Sequence, residues 1–273
     1  MKQKSSKKFL STSLLLVLIA LVSLTAATTA WMTIADSTRL KTMRLDVTSG
    51  ANLRFDLDSH ETFEEYVKSL RLIDIADRIL RDQGYHPREN PLSPVTTTDC
   101  IHFTLENGEP AAKESYMEFV LHFMATDDMV VHLTTAGEEG TRIFSDEVSD
   151  IAKAMRISFT ADDSTAVYDP GMEPGSEEGL GGKIFGLARG NRIVYDASNT
   201  LFFLKAGVDK PVTVRIWLEG TDEICTDALR GVPYHIQLRF VGTDENGNLL
   251  EDSRATTRRS AAATPTEERN ENK

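Results

Sequence analysis

From Met43 onward the chain moves between two hydrophobic periods. Met43, Leu45 and Val47 alternate with Arg44 and Asp46, and Leu53, Phe55 and Leu57 alternate with Arg54, Asp56 and Asp58. A period of two sends alternate side chains to opposite faces of a strand, so these runs predict two strands with a turn at Ser49-Gly50. Phe63, Tyr66, Val67, Leu70, Ile73, Ala76, Ile79 and Leu80 then recur every three or four residues, which predicts a helix near 59–83. Asp58 and Glu61 have capping-box spacing, Gly84 is placed to end the helix, and Pro87 cannot continue it. A loop with Pro87, Pro91 and Pro94 follows.

Alternation resumes at Ile101–Leu105, and Asn107-Gly108 marks a turn. Tyr116–Ala125 predicts a long strand with Met117, Phe119, Leu121 and Phe123 on one face. Further strands are predicted at Met129–Thr135, Arg156–Thr160, Val212–Leu218 and Tyr234–Val241. A short helix from about Asp146 to Met155, with Ser145 as N-cap, precedes the Arg156 strand. Residues 169–183 carry Pro170, Gly171, Pro174, Gly175, Gly179, Gly181 and Gly182 and read as a flexible surface excursion. Asp252–Lys273 has no apolar period and reads as a disordered tail. Many short strands and few helices predict a mainly β domain over residues 31–251, an antiparallel β-sandwich with one or two inserted helices.

The N-terminus obeys a different rule. No charged residue lies between Phe9 and Ala30, and Lys2, Lys4, Lys7 and Lys8 precede that stretch. A basic start, an apolar middle and Thr28 and Ala30 at the −3 and −1 positions fit a secretory signal cut between Ala30 and Trp31. The same run is also long enough to stay in a membrane as an anchor through residues 9–30. Cleavage by a signal peptidase is the preferred expectation. The product is then secreted or held at the extracellular cell surface; the alternative is a single-pass membrane protein with its C-terminal domain outside.

Charge narrows the partners. The 273 residues carry a net charge of −12, and without the four leading lysines the remainder carries −16. So acidic a body repels phosphate backbones, and no basic stripe interleaved with aromatics offsets this, so nucleic acid is not an expected partner. Hydrophobic residues at 40% are enough for a core. The two cysteines, Cys100 and Cys225, are a candidate disulfide in an exported chain, worth about 4 kcal/mol for so long a loop. Two buried free thiols are the alternative.

Candidate chemistry is sparse. His60-Glu61 begins like a zinc-protease helix, but Glu64 stands where the second histidine belongs. His122 and His132 fall on successive predicted strands and are candidates to approach one another. Gly-x-Ser-x-Gly is absent, and no thiol–imidazole pair is expected where Cys100 precedes Ile101-His102, since neighbouring residues of a strand point to opposite faces. Gly179-Leu180-Gly181-Gly182-Lys183 lacks the spacing and the hydroxyl residue of a phosphate loop. Asp244-Glu245-Asn246-Gly247-Asn248 has oxygen ligands at alternate positions, as a calcium loop does, yet Asn246-Gly247 between apolar runs predicts a hairpin. No catalytic residue, metal ligand or cofactor is therefore assigned.

Three stretches carry a family resemblance: Thr29-Ala30-Trp31-Met32-Thr33-Ile34-Ala35-Asp36, Ala154-Met155-Arg156-Ile157-Ser158-Phe159, and Val214-Arg215-Ile216-Trp217-Leu218-Glu219-Gly220-Thr221-Asp222. In these the chain resembles the TasA/camelysin-like secreted surface or biofilm-matrix proteins of Gram-positive bacteria. The resemblance implies a jelly-roll-like sandwich, a dedicated signal peptidase, secretion to the surface or matrix, and assembly into fibres. It marks Arg156, Trp217, Glu219, Gly220 and Asp222 as the motif positions. The Phe63–Leu80 segment, the proline-rich loop and the C-terminal tail depart from the smaller fibre subunits. A metallopeptidase label carried by some relatives is not transferred, because the His-Glu-x-x-His motif is missing.

The leading expectation is a non-enzymatic surface or matrix protein, a fibre subunit or accessory that self-associates by adding a strand to a neighbour. The alternatives are a membrane-anchored ligand-binding module, with loops 87–99 and 169–183 as contacts, and a metal-dependent hydrolase built from distant histidines and acids.

Overall fold

Leu45, Val47, Leu53 and Phe55 are all buried in a computed structural model, which describes residues 44–90, 92–146, 150–225, 229 and 232–250. The export segment, the Ala30-Trp31 junction and the C-terminal tail lie outside those residues. Among the described residues no helix is long and apolar enough to cross a membrane.

The strands form two sheets. One holds β13 (Thr200–Leu204), β7 (Met129–Leu133), β15 (His235–Thr243), β1 (Arg44–Ser49) and β3 (Ser69–Arg71) in that order, with β8 (Arg142–Phe144) also on β15. The other runs β11 (Gly175–Gly179), β12 (Gly182–Gly186), β10 (Ser164–Tyr168), β9 (Met155–Ala161) and β14 (Lys210–Glu219). It continues from β14 to β6 (Met117–Ala125) and β2 (Leu53–Asp56), and also to β4 (Pro94–Thr97) and β5 (Phe103–Thr104). The sheets pack face to face. Phe240 of the first sheet meets Phe55, Phe123 and Phe159 of the second at ring distances of 6.1, 5.1 and 5.7 Å. Edge-on aromatic contacts of this kind add to the burial energy of the core.

The mainly β, sandwich-like architecture agrees with the sequence reading, but the sheets are mixed rather than antiparallel. β1 lies parallel to β15, β12 parallel to β10, and β4 parallel to β14. β1 and β2 are not a hairpin: they enter different sheets, β1 beside β15 and β2 beside β6. Alternation fixes which face a residue takes, not which strand it pairs with.

The helix predicted near 59–83 is confined to its second half, α1 (Leu72–Gln83). Leu72, Ile75, Ala76 and Ile79 form its buried stripe, and the Asp74 carboxylate accepts the N–H of Arg71 at 2.9 Å to start it. Gly84, at φ +82°, closes it by donating its N–H to the Leu80 carbonyl. Upstream, the residues that share the helical spacing find other partners. Phe63–Glu65 is a single 3-10 turn, Val67 bridges to Phe55, and Leu70 lies in β3 opposite Val47.

Two further expectations change. The described part of the 146–155 helix is one turn, α2 (Ile151–Ala154). The excursion at 169–183 contains a hairpin, β11 and β12, joined through Leu180 and Gly181 at φ +53° and +74°.

Candidate functional site

The motif residues come together because of strand order. β9 lies between β10 and β14, antiparallel to both. Arg156, near the start of β9, therefore sits beside the end of each neighbour. Its Nη2 is 3.0 Å from Asp169, just past β10, and 3.1 Å from Asp222, just past β14. Its Nη1 donates to the Met155 and Lys153 carbonyls. Asp169 also accepts the N–H groups of Gly171 and Met172, and Asp222 accepts that of Ile224. Burial pushes the Asp169 carboxyl above the usual carboxylate range, outweighing the Arg156 charge that pulls it down.

Trp217 stands directly opposite Arg156 on β14 and is fully buried. Its indole N–H donates to the buried Glu219 carboxylate at 3.0 Å. The second Glu219 oxygen accepts the Thr221 hydroxyl at 2.8 Å and its N–H at 3.3 Å. Gly220 donates to the Val95 carbonyl and so ties the end of β14 to β4. Space does not require glycine there, since an added methyl would meet Pro94 at 3.4 Å, an ordinary contact. The structure thus brings together Arg156, Trp217, Glu219, Gly220 and Asp222, and adds Asp169 and Thr221.

The two cysteines do not meet. Both are free thiols. Cys100 packs with Trp217, Val95, Phe103 and Val167, whereas Cys225 borders the core between the sheets. Trp217 alternates with Ile216 and Leu218, which face that core, so the thiols lie on opposite sides of this sheet. Burial pushes the Cys100 thiol up to about 11. A thiol reagent added to native protein at pH 8 is expected to modify Cys225 well before Cys100, with Cys100 released only by denaturant. Equal rates under native conditions would contradict this placement.

A second polar cluster has no counterpart in the sequence reading. Asp209, in the connection from β13 to β14, accepts the Ser59 hydroxyl at 2.9 Å, the Tyr66 hydroxyl at 2.8 Å and His122 Nδ1 at 2.9 Å. These bonds hold its carboxyl below the ordinary carboxylate range although burial opposes them. His60 lies 3.3 Å from Asp56 on the same side and packs edge-on against Tyr66. The three partners lie 87 to 150 residues away from this carboxylate in sequence, and no local spacing links them to it. The cluster is not a hydrolase triad: Ser59 donates to the carboxylate rather than to the imidazole, so no hydroxyl is paired with a base.

His122 and His132 do not approach, because β6 and β7 belong to different sheets. His132 is buried, with Nδ1 2.8 Å from Asn199 and Nε2 3.1 Å from Thr243, and burial holds its pKa below the usual value. His102 pairs with Asp99 at 2.7 Å, not with Cys100. Asp244 spends both carboxylate oxygens on Asn246 and Asn248 of its own turn, so residues 244–248 close as a hairpin. Among the described residues no group of three or more His, Cys, Asp or Glu is placed to hold a metal. A cleft of about 510 Å³ lies at the C-terminal end of α1, lined by Leu80, Gln83, Tyr85, His86, Lys113 and Glu114 among others.

No family model, no curated protein and no solved structure matches this chain.

Proposed function

We propose that this is an exported, non-enzymatic surface or matrix protein that works by contact between chains, with the segment from Trp31 to Thr42 as the strand it adds to a neighbour. The observation that carries this reading is the seating of β1. Leu45 and Val47 are fully buried, and β1 pairs with β15 on one side and with β3 on the other. Trp31, Ile34 and Leu40, ahead of β1 in the sequence, are the apolar anchors of the proposed strand. The resemblance to TasA/camelysin-like proteins points the same way. So do the polar clusters, whose donors are spent on holding strand ends and loops.

Deleting residues 31–42 from the exported chain should abolish filaments in electron micrographs and leave the thermal unfolding transition in place. Filaments of undiminished length and number would overturn strand donation. A mature mass beginning at Trp31 is expected for the secreted product.

The cleft beside α1 favours a second reading, a membrane-anchored module that binds a ligand through the loop after α1. A full-length, membrane-bound chain by intact mass would favour this reading over the first.

A further inference from the structure

Residues 194–199 form the loop that leads into β13, and this loop is held from both sheets. From the second sheet, Lys183 on β12 donates its Nζ to the Ala197 and Thr200 carbonyls, both at 2.7 Å. From the first, His132 on β7 meets the loop with its whole ring. Its Nδ1 lies 2.8 Å from Asn199 Oδ1 and 3.1 Å from the Asn199 carbonyl, and its ring centre is 5.4 Å from that of Tyr195. On the far side Nε2 lies 3.1 Å from Thr243 Oγ1. His132 is 1% exposed.

The neighbours fix where the imidazole carries its hydrogen. Asn199 Nδ2 donates to the Val194 carbonyl at 2.7 Å, which turns Oδ1 toward the ring. Both oxygens at Nδ1 are acceptors, so Nδ1 holds the N–H and Nε2 accepts the Thr243 hydroxyl. This arrangement suits only the neutral ring. A proton on Nε2 would set a donor where an acceptor stands now, against a hydroxyl that is itself fully buried. It would also put a charge in a place closed to water. The charged groups around the ring offer it little. The Lys183 ammonium on β12 repels the added charge. The Asp196 carboxylate attracts it, but Asp196 is exposed and accepts the N–H and hydroxyl of Ser198. β13 sets Thr200, and β15 sets Val241, opposite His132 in the ladders, neither of them charged. Burial leads these influences and holds the imidazole below its ordinary pKa.

We propose that His132 is a proton-operated latch, which fastens residues 194–199 to β7 while neutral and frees them in mild acid. The loop is the part that yields. β7 is paired on both sides, with β13 and β15, whereas Asp196 and Ala197 are already exposed. Moving Tyr195 and Asn199 aside brings water to the ring without breaking a ladder. A histidine whose pKa is lowered on folding binds its proton more readily where the loop is open. The closed loop is therefore at full stability above the ordinary histidine value of about 6.5, and loses stability as pH falls from there to the closed-state pKa. Over that span the open population grows by up to about tenfold per pH unit. The latch does not depend on strand donation by residues 31–42.

Hydrogen exchange on the exported chain, between about pH 7.5 and about pH 5 and corrected for the intrinsic rate, tests it. The Asn199 amide, which donates to the Asp196 carbonyl, is the reporter. Its protection should lie well below that of the β6–β14 ladder, and should fall by up to about tenfold per unit below about pH 6.5. His132→Gln keeps a donor and an acceptor but does not titrate, so the pH dependence should flatten. Should that variant fail to fold, nitrogen NMR of the wild-type imidazole decides: an Nδ1–H tautomer near neutral pH and a protonation midpoint below about 6.5 are expected. Loop protection that ignores pH, a loop that opens only together with the ladder, an undiminished slope in His132→Gln, an Nε2–H tautomer, or a midpoint at or above about 6.5 would each overturn it.

Discussion

Replacing Arg156 by methionine should lower the unfolding free energy by about 3 kcal/mol at pH 7, and by distinctly less near pH 4. The guanidinium is the shared partner of Asp169 and Asp222, and the three side chains are only 13%, 14% and 19% exposed. Taking away one member of a buried ionic group leaves the others desolvated and unpaired, which costs far more than the group contributes net. Here it leaves two carboxylates that were each within 3.1 Å of the same nitrogen. They then repel one another, and each favours its protonated form. The Asp169 carboxyl already stands above its ordinary value because of burial, even with Arg156 present. An acid whose folded pKa is raised takes up protons on folding, so its ionisation costs stability as pH rises through the interval between its unfolded and folded values. Removing Arg156 widens that interval for Asp169. The deficit of the variant should therefore shrink as pH falls and both carboxylates are neutralised. Urea unfolding of wild type and Arg156→Met at the two pH values measures this. A deficit that is the same at both, or that grows in acid, would mean that the carboxylates do not face the guanidinium as described.

How much of this was legible beforehand differs by element. β6 was readable because Met117, Phe119, Leu121 and Phe123 all face one core and all are buried, so the local alternation and the tertiary environment agree. The first half of the predicted helix was not, because its apolar residues answer to distant partners. Phe63 packs under the Arg54 guanidinium, the Tyr66 hydroxyl is taken by Asp209, and Leu70 joins a ladder with β1. A three-four spacing does not distinguish those destinations from a helix face. Glycine misled for another reason. Gly182 and Gly186 look like flexibility in sequence, yet a methyl at either would stand 2.2 or 2.4 Å from a backbone oxygen, of Thr165 or of Glu173 and Met172. They permit close strand packing. At the motif cluster, the cost of burying an unpaired guanidinium calls for an acid near Arg156, but not for two of them. Asp169 enters only through the β9–β10 pairing, which periodicity does not specify. The Asp209 cluster was beyond reach, since its members share no spacing at all.

Trp217→Ala should be the other severe substitution, at about 3 to 5 kcal/mol for deleting a fully buried indole. The void would open among Val95, Cys100, Phe103 and Val167, a small cluster on the outer side of the sheet with few atoms available to collapse inward. Phe103, which meets the indole edge-on at 5.4 Å and stacks on Tyr116 at 4.1 Å, would lose one of its two aromatic neighbours. A second cost is electrostatic. Glu219 is buried, and without the indole N–H one of its oxygens loses a donor while the other stays bound to Thr221. Trp217→Phe isolates that part: it restores most of the packing and leaves the acceptor unpaired, so a smaller loss of about 1 to 3 kcal/mol is expected. Adding Glu219→Gln to Trp217→Phe should recover part of it, because a neutral amide is cheaper to leave buried than a carboxylate. A cycle of these variants, read by denaturant unfolding, gives the coupling directly. Additive losses would deny the Trp217–Glu219 bond. The same variants also decide what the motif is for. The cluster joins the ends of β4, β9, β10 and β14. Variants that retain the fold should therefore assemble as wild type does, which makes the motif a brace for the sandwich; assembly lost at unchanged stability would make it a contact surface instead.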